Sequence, residues 1–136
     1  MSHAKKRILV VDDEPTITRL LKLNLEQTGD YEVATENDSQ AALATAKEFR
    51  PDLILLDVMM PKMDGYELCD VLRQNAPTAQ TPTVLLASKA GLLPNFKGMM
   101  SGFNDALSKP MSPLALREMV GKYCSLLIEV DALEVA

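Results

Sequence analysis

The sequence predicts an α/β fold on a parallel sheet, and three observations carry that reading. Short apolar runs alternate with stretches of helical periodicity from end to end. Two runs, Ile8-Leu9-Val10-Val11 and Leu53-Ile54-Leu55-Leu56, are apolar at every position, as strands covered on both faces must be. Both lead directly into acidic residues, Asp12-Asp13-Glu14 and Asp57, at what would be the carboxyl ends of those strands.

Each element follows from local chemistry. Arg7–Val11 is the first strand. Glu14-Pro15 opens a helix with proline in the first turn, where its missing N–H costs nothing. Ile17, Leu20, Leu21 and Leu25 form the expected apolar face of that helix, and Thr28-Gly29 ends it, with Gly29 free to turn left-handed. Tyr31–Thr35 is the second strand. Asp38 or Ser39 can cap the next helix, which carries Ala42, Leu43, Ala46 and Phe49. Pro51-Asp52 precedes the third strand, Leu53–Asp57. Asp64 and Glu67 have capping-box spacing ahead of Leu68, Val71 and Leu72, and Ala76-Pro77 closes that helix. Pro82–Ala87 is the fourth strand. The stretch from Ser88 to Gly102 holds Gly91, Pro94 and Gly98, so its helix is expected to be short and to start near Pro94. Asp105–Ser108 is a brief fifth strand. Ser112-Pro113 caps a last helix through Leu116, Val120, Tyr123 and Leu127. Residues 129–136 are an acidic-apolar tail that can extend the helix, fray or begin a linker.

A chain of 136 residues suits one domain with a core that needs no staples. The net charge of −5 offers no basic footprint, so direct nucleic-acid binding is not expected. Lys5-Lys6-Arg7 reads as a solvated strand entrance. Cys69 and Cys124 fit no metal spacing and read as reduced thiols, with a disulfide as the lesser alternative. No apolar run approaches the ~20 residues of a membrane span, and the N-terminus lacks the hydrophobic segment of a signal peptide, so a cytoplasmic protein is expected. His3, the single histidine, receives no role.

In parallel sheets of this kind, ligands bind beyond the carboxyl ends of the strands. Asp12, Asp13, Asp57, Ser88 and Lys109 all fall there. Three converging carboxylates repel one another, and a divalent cation relieves that repulsion; oxygen-only donors suit Mg²⁺. Lys109 can pair with a phosphoryl oxygen and the Ser88 hydroxyl can donate to another. Asp57 is left as the nucleophile that forms an acyl phosphate. The structural alternatives are that Asp12 and Asp13 merely cap the first helix, that Lys109 is a surface lysine before a turn, and that Ser88 is a helix cap. Asp64 and Gly65 read as structural, setting the turn and the helix start.

On four motifs the chain resembles the receiver domains of response regulators in two-component signalling. They are Ile8-Leu9-Val10-Val11-Asp12-Asp13-Glu14, Asp52 through Gly65, Ala87-Ser88 and Ser108-Lys109-Pro110. The resemblance spans a receiver domain over residues 5–128. It implies a flavodoxin-like doubly wound sheet of order 2-1-3-4-5 with five helices, and phosphorylation of Asp57 by a sensor histidine kinase or histidine phosphotransfer protein. It implies Mg²⁺ held by Asp13, Asp57 and the backbone carbonyl of Met59, with Asp12 acting mostly through water. It implies a downstream protein target switched by phosphorylation, and a cis bond at Lys109-Pro110.

Two positions depart from the family. The fifth-strand site that usually carries Tyr or Phe is Ala106, so the usual aromatic switch is missing. Phe103 is nearby but precedes the strand and is not given that role. Lys89 stands where the family prefers a small residue. Output is therefore expected through the first helix or the Pro94 region. Two other classes stay open. A phosphorylation-independent interaction module on the same fold gains weight from Ala106. A haloacid-dehalogenase-like phosphohydrolase would need an acid two residues after its nucleophile, and that position is Met59, which transfers no protons.

Overall fold

The computed structural model describes residues 4–88 and 102–124. Its elements are β1 (Lys6–Val11), α1 (Pro15–Glu26), β2 (Tyr31–Glu36), a 3₁₀ turn (Ser39–Ala41), α2 (Ala42–Phe49), β3 (Leu53–Asp57), α3 (Gly65–Arg73), β4 (Thr83–Ala87), β5 (Asp105–Ser108) and α4 (Pro113–Cys124). The five strands form one sheet of order β2-β1-β3-β4-β5, with every pairing parallel. The helix expected near Pro94, Lys89, Leu127 and the tail lie outside the described residues.

Alternation along the strands builds two cores. Ile8, Val10, Leu53, Leu55, Val84 and Leu86 face α1 and α4, meeting Leu21, Leu25, Leu116 and Val120. Leu9, Val11, Ile54, Leu56 and Leu85 face α2 and α3, meeting Ala42, Ala46, Leu68 and Leu72. β1, β3 and β4 thus bury both faces, which is why their sequences carry no polar alternation. Cys69 and Cys124 are free and buried, one in each core.

Local chemistry sets the helix ends. Asp64 and Glu67 form the expected reciprocal box: Glu67 N donates to Asp64 Oδ1 at 2.8 Å, and Asp64 N to Glu67 Oε1 at 3.0 Å. Asp38 caps, but what it caps is the 3₁₀ turn, accepting from Gln40 N at 2.9 Å. Ser112 Oγ accepts from Ala115 N at 3.0 Å at the start of α4. Gly29 takes φ +83°, as the left-handed turn after α1 requires.

Two expectations are corrected. Leu20 does not belong to the buried face of α1: it is 60 % exposed, and Thr18 is buried in the stripe with Leu21 and Leu25. The face is set by the 3-and-4 spacing from Leu25, which selects 18 and 21. α3 ends at Arg73, ahead of Ala76-Pro77, because the chain there turns into a hydrogen-bonded loop. Buried Thr78 donates to Leu72 O at 2.5 Å, and the Arg73 guanidinium reaches Thr78 O, Thr83 Oγ1 and Gly102 O at 2.9–3.0 Å.

Candidate functional site

The sheet order reverses direction between β1 and β3, and the carboxyl ends of these two strands open a crevice at that point. Asp12 follows β1, and Asp57 is the last residue of β3. Backbone bonds continue past the strands and hold both ends: Asp12 N donates to Glu36 O at 3.1 Å and Val58 N to Leu86 O at 3.0 Å. Asp12, Asp13 and Asp57 each place a carboxylate oxygen within 4.8 Å of the others.

Lys109 enters from the far side. Lys109 N donates to Ala87 O at 2.7 Å, extending the β4–β5 pairing by one step, and Lys109-Pro110 is a cis peptide, as the resemblance implied. The Lys109 ammonium lies 2.9 Å from Asp12 Oδ2 and 2.8 Å from Asp57 Oδ1. Asp12 is fully buried and its other oxygen, Oδ1, accepts from Glu14 N at 3.0 Å. Both of its oxygens are thus committed to the protein.

Electrostatics follow from this packing. Burial pushes the Asp57 carboxyl up from 3.8 to about 6; the Lys109 hydrogen bond opposes the rise, and the Asp12 and Asp13 charges add to it. Burial works against the Lys109 charge, yet hydrogen bonds to Asp57 and Asp12 outweigh it and hold that pKa above the ordinary lysine value. At neutral pH Asp57 is therefore mostly ionised and can act as a nucleophile.

The donor set fits a hard divalent cation. Oxygens bound to one octahedral Mg²⁺ at about 2.0–2.1 Å would lie about 3–4 Å apart, which the observed convergence permits. Asp13 and Asp57 can supply such oxygens, since Asp12 is already engaged.

The start of α3 is pressed against this centre. Gly65 N donates to Val58 O at 2.8 Å, and a Cβ on Gly65 would lie 2.5 Å from Asp57 O and 2.8 Å from Val58 Cα. Glycine is needed there for close approach. Across the site Ser39 Oγ donates to Pro61 O at 3.2 Å, tying the 3₁₀ turn to the loop after β3.

The expected residues are thus distributed as follows. Asp12, Asp13, Asp57 and Lys109 converge. Ser88 stands exposed after β4, at the same end of the sheet. The Met59 side chain is 65 % exposed. One participant, Asn37, was missed from sequence, and Phe103 was noted there without a role. Asn37 donates from Nδ2 to Asp12 O at 2.8 Å; its place just past β2 was the available signal. Phe103 packs on Tyr66 of α3, ring centroids 6.5 Å apart, in the core that also holds Ala106.

Comparison with known proteins agrees with this geometry. Residues 8–121 match the family model of the response regulator receiver domain. The chain is 45 % identical over 108 residues to the alkaline phosphatase synthesis transcriptional regulatory protein PhoP of Bacillus subtilis, covering 79 % of this chain and 44 % of that protein. It spans about half the length of most of the curated relatives it matches. Protein PilG of Pseudomonas aeruginosa differs in this: at 34 % identity the match covers 93 % of both chains. Among solved structures, the chemotaxis protein CheY4 of Vibrio cholerae superposes with a TM-score of 0.82 at 32 % identity, over 88 % of this chain and 99 % of that one. The receiver domain of a Pseudomonas aeruginosa sensor histidine kinase, solved with magnesium in its active-site cleft, gives 0.80 at 27 % identity, over 90 % and 99 %. With sheet order, acidic pocket and lysine all in the arrangement that accepts a phosphoryl group on an aspartate, the chain belongs to the response regulator receiver domain family.

Proposed function

We propose that the chain is a phosphoacceptor response regulator in which Asp57 receives a phosphoryl group from a sensor histidine kinase or histidine phosphotransfer protein. The observation that carries this reading is the convergence of Asp57 with Asp12 and Asp13 and its 2.8 Å pairing to Lys109. An Asp57 oxygen attacks phosphorus, the bond from phosphorus to the donor nitrogen breaks, and an acyl phosphate forms. Lys109 transfers its hydrogen bond from the Asp57 carboxylate to a phosphoryl oxygen, and Ser88 donates to another. Asp12 keeps Lys109 in place. Asp13, Asp57 and the Met59 carbonyl would hold Mg²⁺, which when bound neutralises charge on the incoming group.

Met59 leaves the position two residues after Asp57 without an acid, which favours stoichiometric self-phosphorylation over repeated ester hydrolysis. With Mg²⁺ and acetyl phosphate, intact-mass spectrometry is expected to show one added phosphoryl group, absent in Asp57→Asn. Identical behaviour of the two proteins would overturn the reading, and sustained turnover of phosphate esters would point to a hydrolase.

Signalling output is proposed to pass to a downstream protein through α1 or the Pro94 region, because Ala106 cannot act as an aromatic switch. Leu20 and Leu23, 60 % and 55 % exposed on α1, favour the first route. Amide exchange that changed on phosphorylation only along β5 and α4 would contradict it. Ala106 also supports a second reading, a phosphorylation-independent module; partner binding unchanged by a beryllofluoride phosphate mimic would favour it. No helix among the described residues is long and apolar enough to cross a membrane, which accords with a proposed cytoplasmic location.

A further inference from the structure

Asn37 is the first residue after β2, and one side-chain nitrogen joins it to two other elements. Nδ2 donates to the carbonyl of Asp12 at 2.8 Å and to Thr18 Oγ1 at 3.1 Å. Thr18 is 2 % exposed and donates to Pro15 O at 3.1 Å in the first turn of α1. A single amide therefore links the ends of β1 and β2 to the start of α1.

The carbonyl it holds is that of the peptide leading into Asp13. The preceding peptide is fixed by Asp12 N on Glu36 O at 3.1 Å, where backbone pairing between β1 and β2 stops. Asn37 supplies the next donor from a side chain. With both peptides flanking Asp12 fixed, the direction in which Asp13 leaves the strand is fixed too.

Asp13 is the carboxylate that depends on this. Asp12 is clamped by Glu14 N and Lys109, and Asp57 by β3 and Lys109. No hydrogen bond or ion pair holds the Asp13 carboxylate among the described residues, yet it converges with the other two. Among the described residues, the backbone is what sets where its Cα stands and which rotamers can reach the other two carboxylates. An acceptor side chain at 37 could not hold that backbone, since the Asp12 carbonyl only accepts.

We propose that Asn37, anchored by Thr18, is the positioning residue that fixes the Asp12–Asp13 peptide and thereby presents Asp13 to a divalent cation. This rests on the reading of the acidic pocket as a Mg²⁺ site.

The test is calorimetric titration of Mg²⁺ into wild type, Asn37→Ala, Thr18→Val and the double variant, with the metal-free Tm of each. Losing one buried-carbonyl hydrogen bond is expected to weaken Mg²⁺ binding about three- to tenfold in Asn37→Ala. Thr18→Val should act in the same direction and less. The double variant should be no weaker than Asn37→Ala alone, because both act on one link. Asn37→Ala binding Mg²⁺ as wild type does, or a lower Tm with affinity unchanged, would overturn the proposal and leave the metal site standing. Additive losses would overturn the anchoring role of Thr18. Absence of Mg²⁺ binding by wild type would remove both the proposal and the reading beneath it. Should Asn37→Ala fail to fold, Thr18→Val, nearly isosteric, decides between these outcomes.

Discussion

Asp57 has to be buried enough to lie at the end of a core strand and ionised enough to attack phosphorus. Its carboxyl, pushed up to about 6, is where these demands meet. Folding raises this pKa, so the folded chain binds the proton more tightly than the unfolded one. The burial of Asp57 therefore costs no stability well below about pH 4, erodes stability as pH rises through about 4–6, and imposes its full penalty above that window. Asp57→Asn keeps an oxygen for Lys109 and removes the charge. It is expected to raise the metal-free stability by about 1–3 kcal/mol near pH 7.5. The gain should shrink by at least half near about pH 4.5. Urea unfolding of both proteins at the two pH values checks this; an Asn variant that is less stable at neutral pH would contradict it. The residue types of this site were legible in the sequence because four strand ends carried them in register. The partition of roles was not. That Asp12 spends both oxygens on Glu14 N and Lys109, while the Asp13 carboxylate has no such bond among the described residues, depends on distances that no spacing encodes.

At the scale of elements, α3 is the part most tightly bound to the site. Its first residue, Gly65, sits where a Cβ would come within 2.8 Å of backbone atoms of Asp57 and Val58. Those atoms belong to the end of a central strand and cannot yield as a side-chain tip would. Gly65→Ala is expected to destabilise the domain by about 1–3 kcal/mol through overpacking. It should also lower phosphorylation of Asp57, since either α3 or the strand end must move. Chemical denaturation beside a phosphorylation time course reads both effects; an Ala variant with wild-type values in each would show that α3 shifts freely. The capping box that starts α3 was legible because its chemistry is local. Its end was not: Thr78 closes the last turn on Leu72 O, and Arg73 ties it to β4 and to residue 102, farther along the chain. Leu20 was misplaced for a related reason. An apolar residue counts toward a helix face by periodicity, whereas the angle of α1 on the sheet decides that Thr18 goes inside.

At the scale of the whole molecule, the alternation of elements and the two fully apolar strands were enough to place a parallel α/β sheet, while its order came from the resemblance to receiver domains. What the sequence did not show is the packing around Ala106. Phe103, before β5, packs on Tyr66, so aromatic volume enters the same core from a different position. Both ends of α3 reach that neighbourhood, Tyr66 through its ring and Arg73 through its bond to Gly102 O at 3.0 Å. The phosphoacceptor site and the route out of it are therefore separable, and the first must hold before the second has meaning. The most direct measurement is borohydride reduction of the chain after incubation with Mg²⁺ and acetyl phosphate, followed by tandem mass spectrometry to locate the reduced acyl phosphate. Reduction at position 57 alone, lost when Mg²⁺ is chelated, is the predicted result. Reduction at Asp12 or Asp13, or none anywhere, would contradict the assignment of Asp57 as the phosphoacceptor.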